Sequence, residues 1–139
     1  MLNASVLLAD YAAVADGKLT VVGAGWTFTG PEPAPSALGL LIEVPWDRTN
    51  RQMHLSVVLN EEDGRPVMGP GGPIQIDGDF EAGRPPGHPP GAPIMVPMAF
   101  NFGPLPLDPG NRYVWQLSID GETMAHWQIG FNTRAEAAQ

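Results

Sequence analysis

The chain of 139 residues contains no cysteine. A disulfide framework, a thiolate-held zinc or iron–sulfur centre and a cysteine nucleophile are therefore excluded. Basic residues are scarce too: seven Lys and Arg stand against fifteen Asp and Glu, a formal net charge of −8. That field repels phosphate backbones and anionic lipid, so neither nucleic acid nor a membrane is an expected partner. Charged residues of both signs make up only 16% of the chain, against about 25% in an average protein. Little charge beside 43% hydrophobic residues is the composition of a protein that buries part of its outer surface in an assembly. No apolar run approaches the ~18 residues of a membrane span. Asp10 and Asp16 cut short the runs Ser5–Leu8 and Ala12–Ala15, and no Lys or Arg precedes the first of them. A secretory leader is not expected, and the expected location is the cytoplasm or a particle assembled inside the cell.

Glycine and proline are abundant instead. Seventeen Gly and sixteen Pro fall mostly between apolar runs, which is how an all-β chain is punctuated. The runs predict strands over Asn3–Ala9, Lys18–Thr29, Leu38–Val44 (closed by Pro45), Met53–Leu59, Ile94–Phe102, Tyr113–Ile119 and Thr123–Phe131. Short strands are expected around Ile74–Ile76 and Phe80–Ala82, with Asp77-Gly78-Asp79 turning between them. Gly23-Ala24-Gly25 interrupts the second run and reads as a bulge or a close approach of another backbone. Pro97 inside an alternating pattern places Ile94–Phe102 at a sheet edge or a bulge, because proline has no N–H for an interior ladder. Asp16-Gly17 and Asp120-Gly121 are hairpin-turn dipeptides. Tyr113, Trp115, Leu117 and Ile119 share one strand face at a spacing of two, as do Trp127, Ile129 and Phe131.

Eight or nine short strands with turn signals every 8–12 residues fit one β-sandwich domain over 1–132, with a short tail over 133–139. Leu107-Asp108-Pro109-Gly110 before Tyr113 resembles the tyrosine corner of Greek-key sandwiches, where the phenol bonds back to upstream backbone. Here two residues, Asn111 and Arg112, separate Gly from Tyr, where that pattern has one. The resemblance implies a two-layer, immunoglobulin-like or C2-like sandwich. The expected core is Leu19, Val21, Leu40, Ile42, Leu55, Val57, Val96, Phe100, Tyr113, Trp115, Leu117, Ile119, Trp127 and Ile129. Further motifs are Leu7-Leu8-Ala9-Asp10-Tyr11-Ala12, Gly17-Lys18-Leu19, Val22-Gly23-Ala24-Gly25-Trp26, Glu43-Val44-Pro45-Trp46, Glu62-Asp63-Gly64-Arg65-Pro66-Val67 and Gly83-Arg84-Pro85-Pro86-Gly87. Together they resemble a family of small actinobacterial and phage-associated proteins with no assigned activity. The resemblance implies a β-domain and no catalytic residue.

No enzymatic constellation stands out. Gly-x-Ser-x-Gly is absent, and Ser5, Ser36, Ser56 and Ser118 have no His–Asp arrangement near them. Gly23-Ala24-Gly25 lacks the third glycine of a dinucleotide fingerprint, since position 28 is Phe28. His54, His88 and His126 show no metal-ligand spacing, and the acidic turns Asn60–Asp63 and Asp77–Glu81 read as hairpin turns rather than calcium loops. A glycosidase pair could be drawn only arbitrarily from Glu43, Asp79, Glu81 and Glu122. No cofactor or metal is expected.

The most unusual segment is Arg84-Pro85-Pro86-Gly87-His88-Pro89-Pro90-Gly91-Ala92-Pro93. Glycine recurs there every four residues, which excludes the collagen repeat, and so proline-rich a run favours polyproline II. It reads either as an arm that binds a partner through Arg84, Pro85, Pro86, His88, Pro89 and Pro90, or as a stiff connection between two sheets. Trp26 and Trp46 adjoin loops, where a Trp can anchor a partner or stack on a sugar ring. The expected function is a non-enzymatic protein-interaction or assembly module, self-associating or bound to another protein. A small-ligand or carbohydrate-binding domain is the alternative.

Overall fold

The computed structural model describes residues 2–32 and 34–136. Among them are twelve strands and one short 3-10 turn, so the fold is all-β. A three-stranded antiparallel sheet has the order β1 (Asn3–Ala9), β5 (Ser36–Val44), β10 (Ile94–Phe102). A five-stranded sheet has the order β4 (Phe28–Thr29), β12 (Gln128–Thr133), β11 (Arg112–Ile119), β6 (Gln52–Glu61), β9 (Gln75–Glu81). Two hairpins stand apart: β2 (Tyr11–Ala15) with β3 (Lys18–Val22), and β7 (Met68–Gly69) with β8 (Gly72–Pro73). Twelve strands exceed the eight or nine expected: β4, β7 and β8 have only two residues each, and β2 is not among the expected strands.

The two sheets enclose one core because each places a period-two apolar stripe inward. Leu38, Leu40, Ile42 and Val44 of β5 face Met53, Leu55, Val57 and Leu59 of β6 and Tyr113, Trp115, Leu117 and Ile119 of β11, all buried. Burying each such aliphatic side chain is worth about 1.5–3 kcal/mol. Phe102 of β10 stacks on Trp115 at 5.0 Å between ring centroids, linking the layers. Val96, Phe100 and Ile129 pack against this core half-buried. The corner expected at Tyr113 is present: its hydroxyl accepts the Asp108 N–H at 2.8 Å.

β10 is an edge strand, as Pro97 requires. Both Asp-Gly pairs form tight turns with both residues at positive φ: Asp16 and Gly17 at 52° and 70°, Asp120 and Gly121 at 50° and 79°. That is the geometry of type I′ hairpins.

Four expectations need correction. Lys18–Thr29 is not one bulged strand. β3 ends at Val22, and after Gly23–Gly25 the chain crosses to the other sheet, where Phe28 and Thr29 pair in parallel with Asn132 and Thr133. The backbone approach expected at the glycines occurs at Gly25, whose N–H donates to Leu8 O at 3.0 Å, whereas at Gly23 the close neighbour is a side chain, the Asp10 carboxylate that a Cβ would meet. Leu19 and Val21 are consequently half-buried outside the sandwich, where they pack over Gly39 on the outer face of β5.

Asp77-Gly78-Asp79 is the middle of one strand, β9, rather than a turn. The residues pair with Ser56, Leu55 and His54 of β6. An edge strand tolerates such turn-forming composition because one of its flanks needs no partner. Finally, β12 begins at Gln128, not Thr123. After the turn Ile119 bridges Glu122, but the chain then leaves the ladder and returns when Trp127 O accepts the Leu117 N–H at 2.9 Å. Thr123 fills the gap by donating its hydroxyl to Leu117 O at 2.6 Å. Trp127 is fully buried at the end of this excursion. The fourth correction concerns the proline segment.

Candidate functional site

Gly83–Pro93 joins β9 of the five-stranded sheet to β10 of the three-stranded one, so it does cross between layers. It is not polyproline II. Pro85 O accepts the His88 N–H at 3.0 Å and Pro89 O accepts the Ala92 N–H at 3.2 Å, with Gly87 at φ 82° and Gly91 at φ 83°. Proline at the second position and a positive-φ glycine at the third make each Pro-Pro-Gly-X unit a type II turn. The four-residue recurrence of glycine is the signature of two such turns in series. Proline's fixed φ suits polyproline II and this turn position equally, and the glycine decides between them.

Trp46 supports the turns from below. It opens the 3-10 turn Trp46–Arg48 directly after β5 and Pro45. The Arg84 guanidinium carbon lies 3.8 Å from the centre of the indole, a cation–π contact. Arg84 Nη2 also donates to Trp46 O at 2.9 Å and Nε donates to Thr49 Oγ1 at 2.6 Å. Thr49 is buried and its hydroxyl donates in turn to Trp46 O at 2.7 Å, so one threonine joins both elements. The His88 ring runs parallel to the indole, tilted by 7° with centroids 6.1 Å apart. Its Nε2 lies 3.1 Å from Ala92 O and 3.2 Å from Pro93 O, two acceptors that require the proton on that nitrogen. Pro85, Pro86, Pro89 and Pro90 all remain exposed. Seven of the eight residues singled out in the sequence thus meet in one place.

Trp26 is the eighth, and it lies at the opposite end of β5. Its ring meets Phe131 edge-on at 5.6 Å and lines a cavity of about 20 Å³ with Ser36, Leu105 and Leu107. That is room for one water, far short of a sugar ring. Trp46 is no open stacking platform either, because Arg84 occupies the ring. The four carboxylates considered for hydrolysis do not converge. Asp79 and Glu81 share the outer face of β9, Glu43 sits on the outward row of β5, and Glu122 turns toward Arg48 at 3.9 Å.

One polar cluster escaped the sequence reading. On the outer face of the five-stranded sheet His54 Nδ1 lies 3.0 Å from Asp79 Oδ1, and its Nε2 lies 3.4 Å from Asp77 Oδ1. The Asp79 hydrogen bond, followed by that of Asp77, raises the His54 pKa above the ordinary imidazole value. Hydrogen bonds from Gln75 and Ser56, then His54, lower that of Asp77. The signal was positional: in the β6–β9 register His54 stands directly opposite Asp79. In the other acidic segment, which is a turn as expected, Asp63 is engaged by Arg65 through Nε at 2.6 Å.

A β-sandwich carrying a braced double turn is the class of protein these features define. By sequence the chain belongs to DUF6941, a family of unknown function, which it matches over residues 4–132. No curated protein and no solved structure matches it. Among the described residues no helix is long and apolar enough to cross a membrane.

Proposed function

We propose that residues 1–132 form one protein-interaction or assembly domain, and that the double proline turn is its contact surface. One observation carries the reading: four exposed prolines stand on a support made of Trp46, Arg84, Thr49 and His88. A surface held in shape before contact loses little conformational entropy on docking, and that saving goes directly into affinity. Proline adds apolar area with no N–H to desolvate. The partner is a protein, either another copy of the chain or a different one. An origin among actinobacteria and their phages, which the sequence motifs suggest, suits a structural component of a particle assembled in the cytoplasm.

A photoreactive amino acid placed at Pro86 or Pro90 tests this in cells that naturally express the protein. Protein adducts from these two positions are expected well above those from the exposed loop position Gly71. Equal labelling at all three would remove the double turn as a contact surface.

A further inference from the structure

Two opposite charges beside the five-stranded sheet line one cavity and yet are not paired. Arg65 draws in Glu61 at 3.5 Å and Asp63 at 2.6 Å but leaves Glu62, between them, without an ion pair among the described residues. Arg112 enters no ion pair among the described residues either. Both line a shallow, open cavity of about 450 Å³, together with Phe28, Asn111 and Asn132. That volume falls within the range of small-molecule sites.

The backbone beneath the cavity is fixed. β4 holds Phe28 in parallel register with Asn132, which in turn stands opposite Arg112. Ring, amide and guanidinium thus form one row across three strands. Bonds on either side pin Phe28: the Asn132 N–H donates to Thr27 O at 2.8 Å and the Arg134 N–H to Thr29 O at 3.0 Å. The Asn111 N–H donates to the hydroxyl of buried Thr133 at 3.0 Å, which steadies the turn next to the row. Gly130 leaves room for the Arg112 guanidinium to lie on the sheet, since a Cβ there would collide with it.

We propose that this cavity binds a neutral carbohydrate, with Phe28 stacked on one face of a pyranose ring. Phe28 is 54% exposed and stands outside the core cluster. Among the described lining residues it is the one large apolar side chain. An exposed ring among hydrogen-bonding groups suits a ligand with a C–H face and a rim of hydroxyls. Each hydroxyl both donates and accepts, and the lining answers in kind: Glu62 accepts, Arg112 donates through a planar fork, and the Asn111 and Asn132 amides do both. An anion would meet Glu62 and a formal chain charge of −8, and a cation would meet Arg112. A peptide would bring apolar side chains for which the cavity holds no second apolar contact. The indoles of Trp26 and Trp46 are covered, whereas the Phe28 ring is open. The site uses no residue of the double proline turn and stands or falls separately from that surface.

NMR titration of the full chain with maltose, cellobiose, lactose and diacetylchitobiose tests the site. One ring and a few water-exposed hydrogen bonds give weak binding, with Kd on the order of 1 mM. At least one of these sugars is expected to shift the Phe28 ring signals and the side-chain amides of Asn111 and Asn132. Phe28→Ala, an exposed substitution, should weaken that binding by about tenfold or more, and Phe28→Tyr should preserve it. Gly130→Ala pushes the guanidinium aside without removing a binding group, and should weaken binding by about threefold. Tyr11→Ala removes an exposed ring from the β2–β3 hairpin and should change nothing. No shift with any of the four sugars overturns the proposal, and so does binding that survives Phe28→Ala. Inorganic phosphate moving the same signals as strongly as the sugars would also overturn it, by making the cavity an anion site.

Discussion

The two outer faces of the sandwich meet solvent in opposite ways. The five-stranded sheet turns His54, Ser56, Asp77, Asp79 and Gln116 outward, so water itself covers it. The three-stranded sheet turns out Ala9, Ala37, Gly39 and Ala99, which occupy adjacent register positions. Those residues offer water nothing, and the chain covers them with its own β2–β3 hairpin. Small side chains are what make this possible: Leu19 and Val21 reach down so far that a Cβ on Gly39 would lie 3.1 Å from each. Asn101 secures the cover from β10, accepting the Ala12 N–H at 3.1 Å and donating to Ala12 O at 2.7 Å. One side chain thus stands in for a strand partner. A face can therefore be finished by polarity or by a lid of chain, and only the second choice depends on fit.

Adjacent residues of β5 sharpen that contrast most strongly. Leu40→Ala, on the inner face, is expected to cost about 2–5 kcal/mol by leaving a cavity in the shared core. It should lower the denaturant midpoint for the whole chain. Gly39→Val, one residue away on the outer face, is expected to cost about 1–3 kcal/mol by overpacking. Its effect should concentrate in the hairpin, so hydrogen exchange ought to accelerate at Tyr11–Val22 while β6 and β11 stay protected. Equal acceleration in both regions would show that the hairpin belongs to the core unit after all.

Asn101→Ala comes next. It strips both backbone bonds of Ala12, a buried residue, at about 1–3 kcal/mol. Here too exchange should quicken first at Ala12 and its pairing partner Val21, and a uniform change would argue against a separable cover.

The smallest effect belongs to the water-covered face. Asp79 and Asp77 favour the charged form of His54, so its folded pKa lies above its unfolded one. The resulting stabilisation is complete below about pH 6.5, the ordinary imidazole value, and fades as pH rises through the raised folded value. His54 is exposed, and the slope should be slight. An NMR titration of His54 in wild type and Asp79→Asn checks the cause: the substitution should bring the midpoint down, and an unchanged midpoint would remove Asp79 from the account.

Legibility in the sequence followed the range of the forces involved. The alternation of β6, β10 and β11 was readable because period-two burial is written locally, and Pro97 announced an edge because its missing N–H has only one tolerable place. Tyr113 could be read in part, as its partner is five residues away. The hairpin cover was not readable: Leu19 and Val21 alternate like core residues, and nothing local tells the outside of a sheet from the inside. Asp77-Gly78-Asp79 misled because composition signals a turn, whereas the register with β6 makes it strand. For the candidate site, the choice of Arg84, His88 and the prolines came from composition, but their docking on Trp46 spans some forty residues of chain. The Thr49 hydroxyl that joins them carries no local mark at all.

The Pro-Pro-Gly-X turn has a consequence for how this loop can change length. Each unit brings its first and fourth Cα atoms within about 7 Å, so it consumes four residues while adding little reach. Gaining or losing a whole unit would therefore make the surface taller or shorter and leave the anchor points on β9 and β10 where they are. Related chains could vary this height in steps of four without re-registering either sheet, much as a column is raised by adding a drum.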